Sequence, residues 1–223
     1  MIATKKELII IIVVILIFGF IIGIKYDFQK GTISFNQNPE IFLISFLIIL
    51  TSIFFKKIAA NYWGIEIEHR ALEFSRWGWY ERSHLKKPIP MGLILPFFTS
   101  LISLGLIKPL TFLQFHSKNI PEKRLLKRRS KRSRRKSEVN ESDTAFTATV
   151  GFYGLLLLAI IGTIIKSYGL EIGIDLAKYA IYYGAWNLVP VSSLDGIKIF
   201  FGSINAWTFL FVFYVIALIL VLI

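Results

Sequence analysis

Residues 8–24 read LIIIIVVILIFGFIIGI, seventeen positions without a charge or a polar side chain. A bilayer core takes roughly 20 such residues per helix. In water, a helix needs a polar stripe at helical spacing, and this run has none. An ordinary soluble domain is about 45–50% apolar; this chain is 55% hydrophobic, with a mean hydropathy of +0.62. It therefore reads as an integral membrane protein. Lys5 and Lys6 before the first run resemble the start of a signal peptide. No small-residue cleavage site follows, and the chain continues IKYDFQKG, so the run is expected to stay as an anchor. There are no cysteines, which removes disulfides, thiolate metal sites and cysteine nucleophiles.

The fold expected is an all-α membrane protein with five spanning helices, at 8–24, 41–59, 145–165, 175–192 and 206–223. A further apolar segment, 89–115, carries Pro90, Gly92, Pro96, Gly105 and Pro109. Interior prolines remove backbone donors and break helices. Charge separates the ways this segment can lie. Arg70, Arg76, Arg82, Lys86 and Lys87 precede it, and eleven basic residues between Lys118 and Lys136 follow it. Lys and Arg favour the cytoplasmic side of short loops. A single crossing would put one basic flank outside, whereas a re-entrant segment keeps both inside with Lys5 and Lys6. The re-entrant arrangement is the expectation, and six spanning helices are the alternative. Non-helical backbone at membrane depth has to be buried by protein, so 89–115 is expected to pack on the helices. IEIEHRALEF, 65–74, alternates apolar and charged residues and suits a short strand or hairpin at the cytoplasmic surface. Trp77, Trp79 and Tyr80 read as an interfacial belt. The chain then divides into an N-terminal anchor and outer loop at 1–40, a membrane core at 41–200 with a basic cytoplasmic loop at 116–144, and a C-terminal helix at 201–223.

The stretch 187–196, NLVPVSSLDG, ends an apolar run with Asn187, Pro190, Asp195 and Gly196 in the pattern N-x-x-P-x-x-x-x-D-G. With it the chain resembles the site-2 protease family of intramembrane metalloproteases. The resemblance covers about 41–200. It implies that Asp195 stands where an aspartate ligates zinc, and that Asn187 and Pro190 open the helix so that substrate pairs with exposed backbone. The family's other signature is H-E-x-x-H, near the cytoplasmic end of an earlier helix. KIAANYWG, 57–64, looks like the segment that follows it. Counting back puts Ser52, Ile53 and Lys56 where His, Glu and His would stand. VGFYG, 150–154, likewise replaces the Gly-Pro and downstream Asn of the pattern.

Catalytic zinc takes about three protein ligands and an open position for water. Ser52 is a poor zinc ligand, Ile53 accepts no proton, and an ammonium at Lys56 repels a metal. The chain's histidines, His69, His84 and His116, fall in expected loops. No cofactor is expected, with zinc as the alternative. A carboxylate at membrane depth is usually paired. Two readings of Lys56 stay open: its ammonium pairs with Asp195 in the metal's place, or Lys56 and Lys57 snorkel to the headgroups. Ser52 and Lys56 also have the spacing of a Ser/Lys hydrolase dyad, which requires an uncharged lysine.

KRLLKRRSKRSRRK, 123–136, has no aromatic residue for stacking on bases. Lys127, Arg128, Arg129, Lys131, Arg132, Arg134 and Arg135 suit anionic lipid, where each charge gains about 1 kcal/mol near the surface. Its like charges favour disorder. Three function classes follow. One is a proteolytically inactive site-2-protease-like protein binding a transmembrane segment or membrane partner. Another is an active zinc protease with atypical ligands. The last is a membrane anchor presenting its basic loop to anionic lipid or ribosomal RNA.

Overall fold

The computed structural model describes residues 4–27, 32–35, 38–76, 84–119, 140–191 and 193–222. In chain order its elements are α1 (Lys5–Gly23), β1 (Ile24–Asp27), β2 (Thr32–Phe35), α2 (Pro39–Trp63), β3 (Ile65–Ala71), β4 (Phe74–Arg76), β5 (His84–Ile89), α3 (Met91–Ile102), β6 (Leu113–Asn119), α4 (Glu141–Ser167), α5 (Ile172–Leu188), α6 (Asp195–Gly202) and α7 (Ile204–Leu222). The chain is mostly helical. Among the described residues, α1, α2, α4 and α7 are long and apolar enough to cross a membrane. The fifth expected span, 175–192, corresponds to α5, which has 17 residues and stops at Leu188.

Local chemistry sets the helix ends. The Thr4 hydroxyl accepts the Glu7 N–H at 3.2 Å and opens α1. Pro39 opens α2 with its fixed φ. Gly64, at φ 68°, closes α2 in the left-handed conformation that glycine adopts without strain. Val189, extended at ψ 128°, ends α5. Pro190 forces this, because the residue before a proline is pushed out of the helical region.

α4 lies at the centre, packed on α2, α5 and α6. Phe18, Ile48, Phe112, Phe152, Tyr183 and Tyr214 fill the core between the helices. The Tyr214 hydroxyl donates to Phe152 O at 2.9 Å. α7 is peripheral and buries only Leu210 and Tyr214 among its described side chains. Its exposed phenylalanines, valines and isoleucines suit lipid.

Among the described residues the strands form three antiparallel pairs, β1–β2, β3–β6 and β4–β5. Two of these differ from expectation. The outer loop at 25–40 contains the hairpin β1–β2. β3 is the expected strand, yet its partner is distant, with Ile65 opposite Asn119 and Ala71 opposite Leu113. The two-residue period turns Ile65, Ile67, His69 and Ala71 inward and leaves Glu66, Glu68 and Arg70 on the outer side. His69, His84 and His116 therefore lie in strands, not loops. The basic loop is also shorter than 116–144, because β6 runs to Asn119 and α4 begins at Glu141. Lys127, Arg128, Arg129, Lys131, Arg132, Arg134 and Arg135 fall outside the described residues, as do Trp77, Trp79 and Tyr80.

Segment 89–115 doubles back. α3 ends at Ile102, and two successive left-handed residues, Leu104 (φ 55°) and Gly105 (φ 79°), reverse the chain. Residues 106–112 return without helix or strand. Both ends of the excursion meet Leu72, whose carbonyl accepts the Gly92 N–H at 2.8 Å. The Leu72 N–H in turn donates to Phe112 O at 3.0 Å. At the far tip, Lys108 Nζ donates to Ile22 O (3.1 Å) and Ile24 O (2.7 Å). A cation there satisfies the carbonyls that the end of α1 leaves free. α3 itself buries only Gly92, Pro96 and Ser100, whereas Pro109, Leu110, Thr111 and Phe112 on the returning arm are all buried.

Candidate functional site

The break after α5 delivers Asp195 to the interior. α6 begins at Asp195, and a carboxylate in the first turn suits the positive end of a helix. Gly196 lets α6 lie against the last turn of α5. A Cβ at Gly196 would sit 2.9 Å from Leu188 Cα and closer still to the Leu188 carbonyl. That carbonyl, freed by the break, accepts the Trp207 indole N–H at 3.0 Å. Asn187 is buried, and its Nδ2 donates to Tyr183 O and Leu110 O, both at 2.8 Å. Its Oδ1 has no donor among the described residues. Pro190 is exposed.

Across from Asp195 stands α2. Ser52, Ile53 and Lys56 are all buried, with Ser52 beside Tyr183. Lys56 Nζ donates to Asp195 Oδ2 in an ion pair whose side chains are 5% and 2% exposed. The structure thus pairs the two residues, and both side chains are buried within the protein. Room for the lysine stem comes from α4. A Cβ on Gly151 would lie 2.6 Å from Lys56 Cγ and Cε, and one on Gly154 would collide with the Phe55 ring. Gly151 of VGFYG therefore makes room for Lys56, and Gly154 for the neighbouring Phe55.

A second lysine attends the carboxylate. Lys198, one turn along α6, has its Nζ 3.6 Å from Asp195 Oδ1. It donates to Phe115 O at 2.5 Å and lies 3.4 Å above the centroid of the Phe115 ring. A cation over an aromatic face is attracted by the ring quadrupole. With both contacts in place, Lys198 is held on β6 and leaves Asp195 Oδ2 to Lys56.

Beside this pair lies a second buried cluster that the sequence reading did not assign. Glu7, in the first turn of α1, is 3% exposed. Its Oε1 lies 2.8 Å from Lys57 Nζ. The same oxygen accepts the His69 backbone N–H at 3.2 Å and lies 3.1 Å from His69 Nδ1. Burial holds the His69 pKa below its ordinary 6.5; Glu7 pulls it up, and the Lys56 ammonium pushes it further down. The neutral ring gives its Nδ1–H to Glu7, and Nε2 is buried without a partner among the described residues. Three signals pointed here: a carboxylate next to an unbroken apolar run, a second lysine adjacent to Lys56, and the inward phase of His69 with Ile65 and Ile67.

Among the described residues, no three or more His, Asp or Glu side chains gather where they could hold a metal ion. Compared with protein-family models, curated proteins and solved structures, the chain matched none.

Proposed function

We propose that the chain is a proteolytically inactive, site-2-protease-like integral membrane protein. It holds a transmembrane segment, or another membrane partner, in the cleft between α2 and the α5–α6 break. The observation that carries this reading is the buried pair of Lys56 and Asp195. A zinc ion needs neutral or anionic donors with free lone pairs. Against Asp195 stand the two ammonium groups of Lys56 and Lys198, so the residues do not fit a metal, and no hydrolytic step is derived through one. The same pair argues against a Ser52/Lys56 dyad, because Lys56 Nζ is bonded to Asp195 and the Ser52 hydroxyl has no hydrogen-bond partner among the described residues.

In this reading five helices span, and 89–115 enters the membrane and returns. The N-terminus and the basic loop are cytoplasmic. The support is that both ends of 89–115 meet at Leu72 while both its flanks are basic. Residues 123–136 then lie against anionic lipid, and a ribosomal RNA contact is the alternative use of the same charges.

One observation favours the active zinc protease instead. His69 is held through Nδ1 by a carboxylate and has Nε2 open, which is how metal-bound histidines are commonly oriented. Against it stand the Lys56 ammonium and the small number of donors. A direct test presents the full chain in nanodiscs with a synthetic Leu/Ala transmembrane peptide that carries a central Gly-Pro and a photoreactive leucine. The proposal expects crosslinks to α2 and α5 with the peptide intact. Peptide fragments, or no crosslinking at all, would contradict it.

A further inference from the structure

The cleft proposed for a guest segment already holds a piece of this chain. Residues 109–112, Pro-Leu-Thr-Phe, run between the end of α5 and Leu72. Leu110 and Phe112 are fully buried, and the Asn187 side chain binds the Leu110 carbonyl. Asn187 thus meets a carbonyl of an extended chain, the contact a guest would make. The internal occupant meets only half of what Asn187 offers. Its Oδ1 has no donor among the described residues, and the neighbouring Pro109 has no N–H to give. A guest with an N–H next to its carbonyl would satisfy both ends of the amide.

The arm that carries this segment is tied at Leu72 and, through Lys108, at the end of α1, and between these ties α3 packs lightly. α3 buries three small or ring-closed residues, Gly92, Pro96 and Ser100, and no large side chain. Its turn passes through two left-handed residues, Leu104 and Gly105. Behind α3 lies an apolar cavity of about 330 Å³, lined by Leu95, Pro109, Thr111, Val189, Val191 and Leu194 among others. The cavity borders both the internal segment and the helix break.

We propose that 91–112 is a gate. It occupies the Asn187 position in the resting protein and swings outward to admit an unwound apolar transmembrane segment, which takes Leu110's place with an aliphatic residue. This inference rests on the binding function proposed above and adds a closed state to it. A site that is open only part of the time binds more weakly in proportion to its open fraction.

The test uses the natural lack of cysteine. The variant Leu95→Cys/Val191→Cys carries one thiol on α3 and one on the break, across the cavity, and a short bifunctional maleimide ties them. The probe is the Leu/Ala peptide with its central Gly-Pro. Tying should reduce photocapture about tenfold relative to the untied variant, and Leu110→Ala should raise it several-fold. As a check on the intact segment, Thr111→Cys should react faster with a membrane-permeant maleimide when the peptide is present. Equal capture by tied and untied protein, or unchanged Thr111→Cys labelling, would overturn the gate while leaving the cleft reading in place. Absence of capture by the untied variant and by the unmodified protein would remove the cleft reading, and the gate with it.

Discussion

Lys56 and Lys57 are neighbours on α2, and each meets a carboxylate from another helix. Lys56 meets Asp195 of α6; Lys57 meets Glu7 of α1. The first pair is sealed, at 5% and 2% side-chain exposure, whereas Lys57 remains 17% exposed. Glu7 has help from His69, which gives it a backbone and a ring hydrogen bond. Asp195 Oδ2 takes its hydrogen bond from Lys56, and Lys198 stands 3.6 Å from Oδ1. Adjacent residues of one helix thus enter different regimes: one carboxylate is sealed between two lysines, and the other is shared by His69 and a lysine that stays partly exposed.

That difference predicts unequal costs. Removing one partner from a buried ion pair leaves an uncompensated charge and costs about 3–5 kcal/mol. Asp195→Ala should show that loss in detergent-denaturation assays, while Lys56→Leu/Asp195→Leu should recover most or all of it. A double variant as unstable as the single one would show that the pair's specific geometry, not its charge balance, holds the site together. Glu7→Ala should cost less, about 1–3 kcal/mol, from the unsatisfied His69 donors. The lysine there can turn its long stem toward the headgroups. An equal or greater loss than in Asp195→Ala would reverse the ranking of the two clusters.

The groove on α4 gives a smaller effect. Gly151→Ala places a methyl against the Lys56 stem and should cost about 1–2 kcal/mol by overpacking. Gly154→Ala meets Phe55 instead and should leave the Lys56–Asp195 pair intact. A double-mutant cycle with Asp195→Ala in each background separates the two: the loss on Asp195→Ala should shrink with Gly151→Ala, where the pair is already disturbed, and keep its full size with Gly154→Ala.

Acid distinguishes the clusters most finely. His69 has a folded-state pKa below its ordinary 6.5. Just below pH 6.5 the unfolded chain therefore binds more protons than the folded one, and stability falls as pH falls until the folded pKa is passed. The slope is at most about 1.4 kcal/mol per pH unit for one proton. His116, lowered by partial burial and by Arg70, acts in the same direction, so the comparison is with His69→Gln in the same buffers. That variant should flatten the profile between pH 6.5 and lower pH. An unchanged slope would place the acid sensitivity elsewhere.

The parts legible in the sequence were those written in local chemistry. Unbroken apolar runs mark α1, α2, α4 and α7, and Pro190 marks the end of α5. The alternation in 65–71 marks β3. The partner of β3 was not legible, because antiparallel pairing with 113–119 depends on where the long excursion over 72–112 returns. The Lys56–Asp195 pair was one of two open readings; the missing term was the space beside Lys56, which Gly151 supplies from a helix nearly a hundred residues away. Glu7 was hidden by its position, since a charge at the edge of a spanning run looks like a solvated end until a neighbour is seen.

The proposed function turns on Lys56 standing against Asp195, where the resemblance would put a metal. The most direct test is elemental analysis of the full chain, purified without chelator and exposed to one equivalent of zinc, beside Asp195→Ala. The account predicts far less than one zinc per chain in both proteins. One zinc per chain that is lost on Asp195→Ala would contradict it.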